Sequence, residues 1–429
     1  MKRFYWMIWI PWVSSLSQEL FGSMHVFNYL ILNRHLYSLP DALLTRNGTL
    51  QCAQDMYYME TLWPQLLEQS PFIYPPVSNS QSKAYFHVVP QYSTCLYHDC
   101  VFEQNQSPDT CKSMTGDYVS DILDAIQASH PYWNASSGTD HIFIFPWDQA
   151  SEILGWNHPV RKRLQNAIHF TNLGSLGVTD NFNPHKDIVI PPFGNASVAL
   201  KLYPDPQSFK CNIKSRLSSL LSAFESIGKG SFTSIILNSE LVRGCQPKSP
   251  RYTKWASRSR STWAYFRGTI MEDYKYSFGV RQKLRELGSR SPQFQIHEGH
   301  SQRYWQELGD ATFSLCPSGW SPWSPRLFDS ILTGSIPVIF ADDTRLPFES
   351  LVNYRDFAIK IRNDHVDQLE DILKSMSLNQ IQSKRNEMLK IRHLFVWNNP
   401  PQEGDAFYAT IQMLSRKKSH VPTGHDEFS

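Results

Sequence analysis

The sequence lacks a strong excess of charge of either sign. Its 429 residues include 41 Lys and Arg against 39 Asp and Glu, so the formal net charge is only +2. Proteins that bind nucleic acid normally carry a marked basic excess, which argues against that class. The chain also lacks internal repeats, and 41% of its residues are hydrophobic. This length and composition predict a sizeable core divided between two or three domains.

The apolar run at the N-terminus is too short to span a bilayer, which takes about 20 residues. It covers residues 4–13, follows the positively charged segment 1–3 and precedes the small residues 15–17. This order is typical of a cleaved signal peptide. Residues 1–20 are therefore predicted to be a signal peptide, with a short membrane anchor as the alternative.

Four Asn-x-Ser/Thr sequons also favour the secretory pathway, because such sequences are acceptors for N-glycosylation. They begin at Asn47, Asn105, Asn134 and Asn195, all within the first 200 residues. This distribution suggests an exposed, glycosylated face on one domain.

The seven cysteines suit an oxidising compartment. The close group Cys95, Cys100 and Cys111 is predicted to contribute at least one disulfide, and the odd total leaves one thiol over. A zinc site formed by these three residues and His98 is the alternative, although the paired C-x-x-C spacing is absent.

Short apolar runs alternate with amphipathic stretches along the chain. Predicted strands cover residues 25–32, 84–89, 141–145, 188–190, 234–237, 263–266, 294–297, 311–315 and 336–340. Predicted helices cover residues 53–69, 118–129, 160–169, 215–227, 280–287, 302–308, 325–332, 366–376, 380–395 and 405–417. This alternation is typical of an α/β fold with parallel sheets covered by helices on both faces.

A polar, basic stretch at residues 245–260 interrupts the alternation and is interpreted as a linker. It predicts an N-terminal domain at 24–245, a C-terminal domain at 246–400, and a C-terminal helix and tail at 401–429. Ligands of parallel sheets bind beyond the carboxyl ends of the strands, so we expect the functional residues there.

One loop rich in Pro, Gly and Ser joins a predicted strand to a predicted helix in the second domain. Ser324 is predicted to cap this helix, with Pro325 in its first turn. Free N–H groups at such a helix start favour an anion. The small residues that would let a diphosphate approach the backbone are Ser318, Gly319, Ser321 and Ser324.

Two charged residues of that helix extend the hypothesis. Arg326 is positioned to bind phosphate oxygens through two N–H groups. Asp329, on the same helical face, could accept hydrogen bonds from ribose hydroxyls. The alternative is a plain surface turn in which Arg326 pairs with Asp329.

Residues 316–349, with CPSG, SPRLFDSILTGSIPVI, DD and PFE in that order, resemble the hallmark of exostosin-like glycosyltransferases. The resemblance continues in segments 131–141, 187–192, 263–268, 279–284 and 353–357, so ordered matches run from about residue 54 to the C-terminus. One departure is Ser335, where the family commonly has a cysteine.

The resemblance implies a GT-B fold, with two Rossmann-like parallel-sheet domains facing a cleft. The N-terminal domain would bind the acceptor and the C-terminal domain a uridine diphosphate (UDP) sugar. The implied reaction is an inverting transfer with no obligatory metal or other cofactor, and Asp342-Asp343 is interpreted as a loop turn rather than a metal motif. The donor-binding residues are then Arg267, Gly268, Arg281, Lys283, Ser318, Gly319, Ser324, Arg326 and Asp329. For Arg281 and Lys283, a solvated helix face is the alternative.

An inverting transfer needs a base for the acceptor hydroxyl. Asp148 and His141, around the strand at 141–145, are the candidates, with a loop carboxylate and a structural histidine as the respective alternatives. Glu298 is a further acidic candidate near the donor, and Trp147 and Trp156 could stack on an acceptor sugar.

Two classes of function follow. The first is an inverting glycosyltransferase of the Golgi lumen that modifies a glycan or cell-surface polysaccharide. The second is a catalytically silent carbohydrate-binding subunit in complex with another glycosyltransferase. A glycoside hydrolase is disfavoured, because it needs two carboxylates flanking one bond and leaves the diphosphate-type loop unexplained. The transferred sugar stays open among glucuronic acid, xylose, galactose and arabinose.

Overall fold

The computed structural model describes residues 26–29, 57–73, 85–176, 181–194, 196–203 and 259–417. The predicted N-terminal segment 1–20, the helix at 215–227, the strand at 234–237 and most of the linker at 245–260 lie outside these residues. Within the described part of the chain, no helix combines the length and apolar character needed to cross a membrane. The chain forms two compact units, which are described separately.

The first unit contains a five-stranded parallel sheet in the order β1-β2-β3-β4-β5. The strands are β1 (Val26–Asn28), β2 (Phe86–Val88), β3 (His141–Phe145), β4 (Ile168–Thr171) and β5 (Ile188–Val189). Its helices are α1 (Met59–Glu68), α2 (Ser93–His98), α3 (Pro108–Ser129), α4 (Tyr132–Ser136) and α5 (Pro159–Arg163), with a π-helical turn at Asp99–Glu103 and a 3-10 helix at Ala150–Leu154.

Helix α3 begins well before the predicted start at residue 118. The Ser107 hydroxyl accepts a hydrogen bond from the Thr110 amide at 3.2 Å, and Pro108 occupies the first turn, where its missing N–H is harmless. The apolar residues Val119, Ile122, Leu123 and Ile126 of this helix are buried.

The predicted helix at 160–169 was wrong in its second half. Helix α5 ends at Arg163, and Ile168–Thr171 forms strand β4 instead, paired with β3 along four residues. The run IHFT is short and contains the apolar residues Ile168 and Phe170, so it is compatible with a buried strand as well as with a helix. Tertiary pairing with β3 decided between them.

The second unit contains another five-stranded parallel sheet, in the order β10-β9-β8-β6-β7. Its strands are β6 (Thr262–Gly268), β7 (Phe294–Glu298), β8 (Ala311–Pro317), β9 (Ile336–Phe340) and β10 (Ile359–Lys360). Its helices are α6 (Ala196–Leu202), α7 (Val280–Arg290), α8 (Tyr304–Gly309), α9 (Arg326–Thr333), α10 (Tyr354–Phe357), α11 (Leu369–Lys374) and α12 (Leu378–Ile391), with 3-10 helices at Tyr276–Gly279, Asn363–Gln368 and Arg392–Phe395.

The core of this unit explains why the apolar runs became strands. Phe266, Phe313, Leu315, Val338 and Phe340, from three neighbouring strands, are fully buried in one cluster. Strands buried on both faces read as continuous apolar runs, as these do. Two parallel-sheet α/β units confirm the predicted fold class, α/β with two Rossmann-like parallel-sheet domains.

The units are not contiguous in sequence. The first unit includes Asp343–Phe348 and the chain from Trp397 onward, with the last helix, α13 (Ala406–Lys417). Phe407 of α13 packs on Trp63 at 5.3 Å between ring centroids, so this helix is part of the first core rather than a separate tail from residue 401. Helix α6 falls in the second unit, ahead of the predicted boundary at 245, because Ala199 packs against Leu332 and Val396.

Candidate functional site

The strand order reverses between β6 and β8 in the second unit. From β6 the chain first moves outward to β7, then returns to the other side of β6 as β8. Loops at such a reversal diverge and leave a crevice outside the carboxyl ends of the two strands. These ends are Gly268 and Pro317, so the loop predicted to bind an anion lies at this point.

The loop after β8 holds itself together by its own polar groups. The Ser318 hydroxyl donates to the Phe340 carbonyl at 2.8 Å, and this residue is buried. The amides of Gly319 and Trp323 donate to the Ser321 carbonyl at 3.2 and 2.7 Å. These donors already form hydrogen bonds within the loop. Fewer free amides and hydroxyls therefore remain for an anion than the sequence predicted.

The start of helix α9 also differs from the prediction. Pro325 occupies the N-cap position, and no side chain caps the helix. The Ser324 carbonyl accepts from the Leu327 amide, and the Pro325 carbonyl accepts from the amides of Phe328 and Asp329. Because the tight turn satisfies these amides, a Ser324 side-chain cap is unnecessary.

Arg326 supplies positive charge directly at this point. Its side chain is only 8% exposed, and its guanidinium carbon lies 4.5 Å from the centroid of the Phe266 ring. Nη2 donates to the Arg267 carbonyl, whereas Nε and Nη1 are buried with no hydrogen-bond partner. A buried, unsatisfied guanidinium is costly, so the arrangement favours an anion that would complete it.

Arg281, at the start of α7, also lies over the Phe266 ring, with its guanidinium carbon 5.4 Å from the centroid. Its Nε donates to the Ser318 carbonyl at 2.9 Å, and its Nη1 donates to the Thr269 carbonyl at 2.7 Å and the Tyr276 hydroxyl at 2.6 Å. Burial, and to a smaller degree the charge of Arg326, lower the pKa of Arg281 to about 10. The solvated helix face considered for Arg281 is therefore wrong.

Two glycines leave room beside these guanidinium groups. A Cβ atom at Gly268 would lie 2.9 Å from Nη2 of Arg326, and one at Gly319 would lie 3.7 Å from Nη2 of Arg281. Among the described residues, neither arginine forms an ion pair with a carboxylate. Two like charges without an acidic partner make this the candidate anion site.

Asp329 lies one turn along α9 from Arg326. Its carboxylate accepts a hydrogen bond from the Tyr304 hydroxyl at 2.8 Å, and the alternative ion pair with Arg326 does not form. Burial raises the pKa of Asp329 to about 6, partly offset by Tyr304 and by the charge of Arg326. Tyr304 engages one carboxylate oxygen, Oδ2, so Oδ1 is the oxygen left to accept from a ligand hydroxyl.

The structure does not bring Arg267 and Lys283 to this pair. Nε of Arg267 donates to Glu307 at 2.9 Å and to the Tyr265 hydroxyl at 3.3 Å. Lys283 forms an ion pair with Asp367 at 2.7 Å on the helix surface. Only the main-chain carbonyl of Arg267 contacts Arg326.

Asp342 and Asp343 lie in the turn after β9, as interpreted from the sequence. The Asp342 carboxylate accepts from the Asn363 amide at 3.2 Å, and Asp343 has a left-handed backbone with φ of 44°. Glu298 ends β7, and its main-chain carbonyl lies 3.5 Å from Nη1 of Arg267.

In the first unit, Asp148 lies in the loop that follows β3. It is partly exposed and accepts a hydrogen bond from the Tyr57 hydroxyl at 3.0 Å. The ring of Trp147 packs 5.0 Å from that of Tyr57, whereas Trp156 is largely exposed and contacts Arg161. The 3-10 helix that follows has Gln149 at its N-cap position, without a side-chain cap hydrogen bond.

His141 lies in the core of the first unit and is fully buried. Its Nε2 is 2.8 Å from the Tyr29 hydroxyl and its Nδ1 is 2.6 Å from Asp140. Burial lowers the pKa of His141 to about 4. An imidazole enclosed in this way cannot reach an acceptor hydroxyl, so the structural interpretation of His141 replaces the catalytic one.

The same cluster is the one group among the described residues with enough ligand atoms close together for a metal. Ligand atoms of His87, Asp140 and His141 all lie within 4.8 Å of one another. The two imidazoles, however, stack 4.8 Å apart with an interplanar angle of 15°. Their in-plane lone pairs run side by side rather than converging, so the donor set fits a tetrahedral cation poorly.

The cysteine prediction is confirmed, and the zinc alternative is wrong. Cys100 and Cys111 form a disulfide with their Cα atoms 5.7 Å apart, and Cys95 is also disulfide-bonded. Disulfide sulfurs carry no thiolate for a metal. Cys316, in the anion-site strand β8, is a buried free thiol.

Sequence reasoning missed the tyrosines of the site. Tyr276 binds Arg281, and Tyr304 binds Asp329. Tyr304 contacts a residue 25 positions along the chain, and Tyr276 lies five residues before Arg281 in a segment without a distinctive motif.

The family model of the exostosin GT47 domain matches residues 24–225 and 247–376. A probable glucuronosyltransferase of Oryza sativa subsp. japonica is 25% identical over 414 residues, which cover 94% of this chain and 83% of the relative. A probable beta-1,4-xylosyltransferase of Arabidopsis thaliana is 26% identical over 379 residues, covering 86% of this chain and 77% of the relative. The solved pneumococcal O-GlcNAc transferase GtfA overlaps with a TM-score of only 0.30 at 13% identity, over 70% of this chain and 60% of that one.

The matched residues include both sheets, the loop after β8 and the arginines at the strand reversal. The resemblance first seen in residues 316–349 is therefore confirmed. The chain belongs to the exostosin GT47 family and is a glycosyltransferase.

Proposed function

We propose that the chain transfers a sugar from a UDP-sugar to a glycan or cell-surface polysaccharide, with inversion at the anomeric carbon. The observation that carries this proposal is the buried pair Arg281 and Arg326, which forms no salt bridge with a carboxylate among the described residues and lies where the strand order reverses. A diphosphate provides the missing negative charge and can accept paired hydrogen bonds from guanidinium groups.

Asp329 supports a nucleoside on the same ligand. Its carboxylate is placed one helical turn from Arg326, and Tyr304 orients it. A ribose offers adjacent hydroxyl donors, which a carboxylate accepts in many nucleotide sites. We assign the ribose to Asp329 and the diphosphate to the two arginines.

The reaction then needs no obligatory metal. The acceptor hydroxyl oxygen forms a bond to the anomeric carbon while the bond from that carbon to the β-phosphate oxygen breaks. A base takes the hydroxyl proton, and the guanidinium groups stabilise the negative charge that develops on UDP. Asp148 is the proposed base, because it is partly exposed and His141 is enclosed.

The relatives suggest which donors to test first. Their names refer to glucuronosyl and xylosyl transfer, so UDP-glucuronic acid and UDP-xylose lead, followed by the galactose and arabinose donors. We place the reaction in the secretory pathway, in the Golgi lumen. The disulfides at Cys95 and Cys100–Cys111 and the signal-like N-terminus support that compartment.

The test uses the purified full-length chain. Calorimetric titration with UDP, and with ADP as the control, should show binding selective for the uridine nucleotide. Release of UDP from the four donors, with a panel of glycan acceptors, should then identify the substrate pair. NMR of the product should show the opposite anomeric configuration to the donor.

The possible outcomes separate UDP binding, sugar transfer and inversion. A folded protein that ignores uridine nucleotides contradicts the proposal. UDP binding with no sugar transfer to any acceptor supports the alternative, a silent subunit of a glycosyltransferase complex. A product with the donor's anomeric configuration contradicts inversion but leaves the proposed sugar transfer intact.

A further inference from the structure

Trp320 exposes a large aromatic surface at the edge of the anion site. It follows Gly319 in the loop after β8 and is 53% exposed, although tryptophan is highly buried on average. Its ring packs against that of Tyr276 in a T-shaped arrangement, with 5.1 Å between centroids and an interplanar angle of 68°. This contact holds the indole and leaves about half of the side chain exposed.

Tyr276 connects the exposed ring of Trp320 to the buried guanidinium of Arg281. The Tyr276 hydroxyl accepts from Arg281, whose guanidinium carbon lies 4.6 Å from the centroid of the Tyr276 ring. The Ser277 amide donates to the Gly319 carbonyl at 2.9 Å, directly before Trp320. Trp320 therefore directly follows Gly319, the residue that lies beside the Arg281 guanidinium of the anion site.

The segment that carries Tyr276 is held in an unusual backbone conformation. Ser277, Phe278 and Gly279 have consecutive φ values of 64°, 54° and 75°. Left-handed conformations at non-glycine residues are unfavourable and persist where surrounding contacts enforce them. Here those contacts include the Gly319 carbonyl and the Arg281 amide, which donates to the Ser277 hydroxyl at 3.1 Å.

The contacts across the site run in one order. Tyr304 binds Asp329, Asp329 neighbours Arg326, and Arg326 shares the ring of Phe266 with Arg281. Arg281 binds Tyr276, and Tyr276 packs on Trp320. A nucleotide-sugar has the same order of chemical groups, namely ribose hydroxyls, two phosphates and a sugar ring.

We infer that the sugar ring of the donor packs against Trp320, an inference that rests on the proposed UDP-sugar site. The C–H face of a pyranose is apolar and matches the face of an indole. The remaining hydroxyls of the sugar stay free for other contacts. Trp320 then selects a nucleotide that carries a sugar over the bare nucleotide, without choosing between a neutral and an acidic sugar.

Calorimetry on the full-length chain tests this with UDP, UDP-xylose and UDP-glucuronic acid as probes. Trp320→Ala should weaken the binding of both UDP-sugars about ten-fold and leave the binding of UDP unchanged. Trp320→Phe should retain most of the affinity for the sugars, because a flat aromatic face remains. Leu378→Ala, at a residue 80% exposed in the same unit, is the matched control and should change nothing. Circular dichroism and thermal unfolding of each variant establish that it is folded.

The failures of the two proposals are distinguishable. Loss of UDP and UDP-sugar binding by the same factor in Trp320→Ala, or no change in either, overturns the role of Trp320 while the UDP site stands. No binding of UDP by the unaltered protein overturns both.

Discussion

Arg281 and Arg326 direct two guanidinium groups to one phenylalanine ring, with their central carbons 5.4 and 4.5 Å from the centroid of Phe266. Both side chains are buried. They belong to helices α7 and α9, and strands β7 and β8 lie between these two helices in the sequence. Like charges at this distance in a poorly solvated place repel each other. A bound dianion would attract both guanidinium groups and offset this repulsion.

Removing either guanidinium should therefore weaken UDP binding. Charge-assisted hydrogen bonds contribute about 1.5–3 kcal/mol each, which corresponds to roughly ten- to hundred-fold in Kd. Arg326→Ala and Arg281→Ala are both expected in that range by calorimetry. Arg326→Lys should recover only part of the loss, because an ammonium cannot reproduce the planar fork of donors.

Lys283→Ala is the matched control for the two arginine variants. Lys283 lies on the same helix as Arg281 but pairs with Asp367 on the surface. UDP affinity should be unchanged within about two-fold, well below the tenfold change in Kd that corresponds to about 1.4 kcal/mol. An equal loss in Lys283→Ala and Arg326→Ala would point to general electrostatics instead of a site.

Donor binding should strengthen as the pH rises through 6. Burial raises the pKa of Asp329 to about 6, so below that value the carboxyl is protonated and accepts ribose hydroxyls less well. The titration should use UDP-xylose rather than UDP, because a terminal phosphate itself titrates near pH 6 whereas an esterified diphosphate does not. Binding constants from pH 5 to 8 give the midpoint.

Two variants separate Asp329 from other titrating groups. Asp329→Asn should flatten the pH profile. Tyr304→Phe should move the midpoint to higher pH, because the Tyr304 hydrogen bond lowers the pKa of Asp329. An Asp329→Asn profile that still rises through pH 6 would assign the titration to a different group.

Glu60 should be a main contributor to the stability of the first unit. It is buried, and its two carboxylate oxygens accept from the amides of Thr94 and Cys95 at 3.0 and 2.8 Å, at the start of α2. Glu60→Ala leaves two buried amides unsatisfied, at about 1–3 kcal/mol each. Urea unfolding should show a loss of about 2–6 kcal/mol, on the same basis.

Glu60→Gln keeps one acceptor oxygen and should lose about half as much. Glu103→Ala, at an exposed glutamate of the π-helical turn, should be near neutral. Equal effects of the alanine and glutamine variants would mean that the negative charge, and not the two hydrogen bonds, stabilises α2.

His169 should make the first unit sensitive to acid. Burial, together with the charges of Lys186 and Arg161, lowers the pKa of His169 to about 3. As the pH falls below about 6.5, the unfolded chain binds a proton that the folded chain refuses, so stability falls by up to about 1.4 kcal/mol per pH unit until the folded pKa is reached.

His169→Asn removes that contribution. The free energy of unfolding measured in urea should fall between pH 7 and pH 5 by about 2 kcal/mol more in the unaltered protein than in the variant. Parallel curves for the two proteins would show that His169 is protonated equally in both states.

The order of elements was readable from the sequence because it depends on local periodicity. Strands β3 and β9 have the predicted bounds, at His141–Phe145 and Ile336–Phe340. The motif after β8 likewise identified Arg326, Asp329 and the family. Each of these signals is contained within a few neighbouring residues.

Only the tertiary structure decided which charges meet. Arg267 pairs with Glu307, 40 residues away, and Lys283 with Asp367, 84 residues away, so neither is left for the anion site. Residues 168 and 169, at the end of a predicted helix, belong to strand β4 for the same reason, since pairing with β3 outweighs local preference. Sequence spacing fixes which face of an element a side chain occupies, but a side chain's partner depends on distant segments that the fold brings beside it.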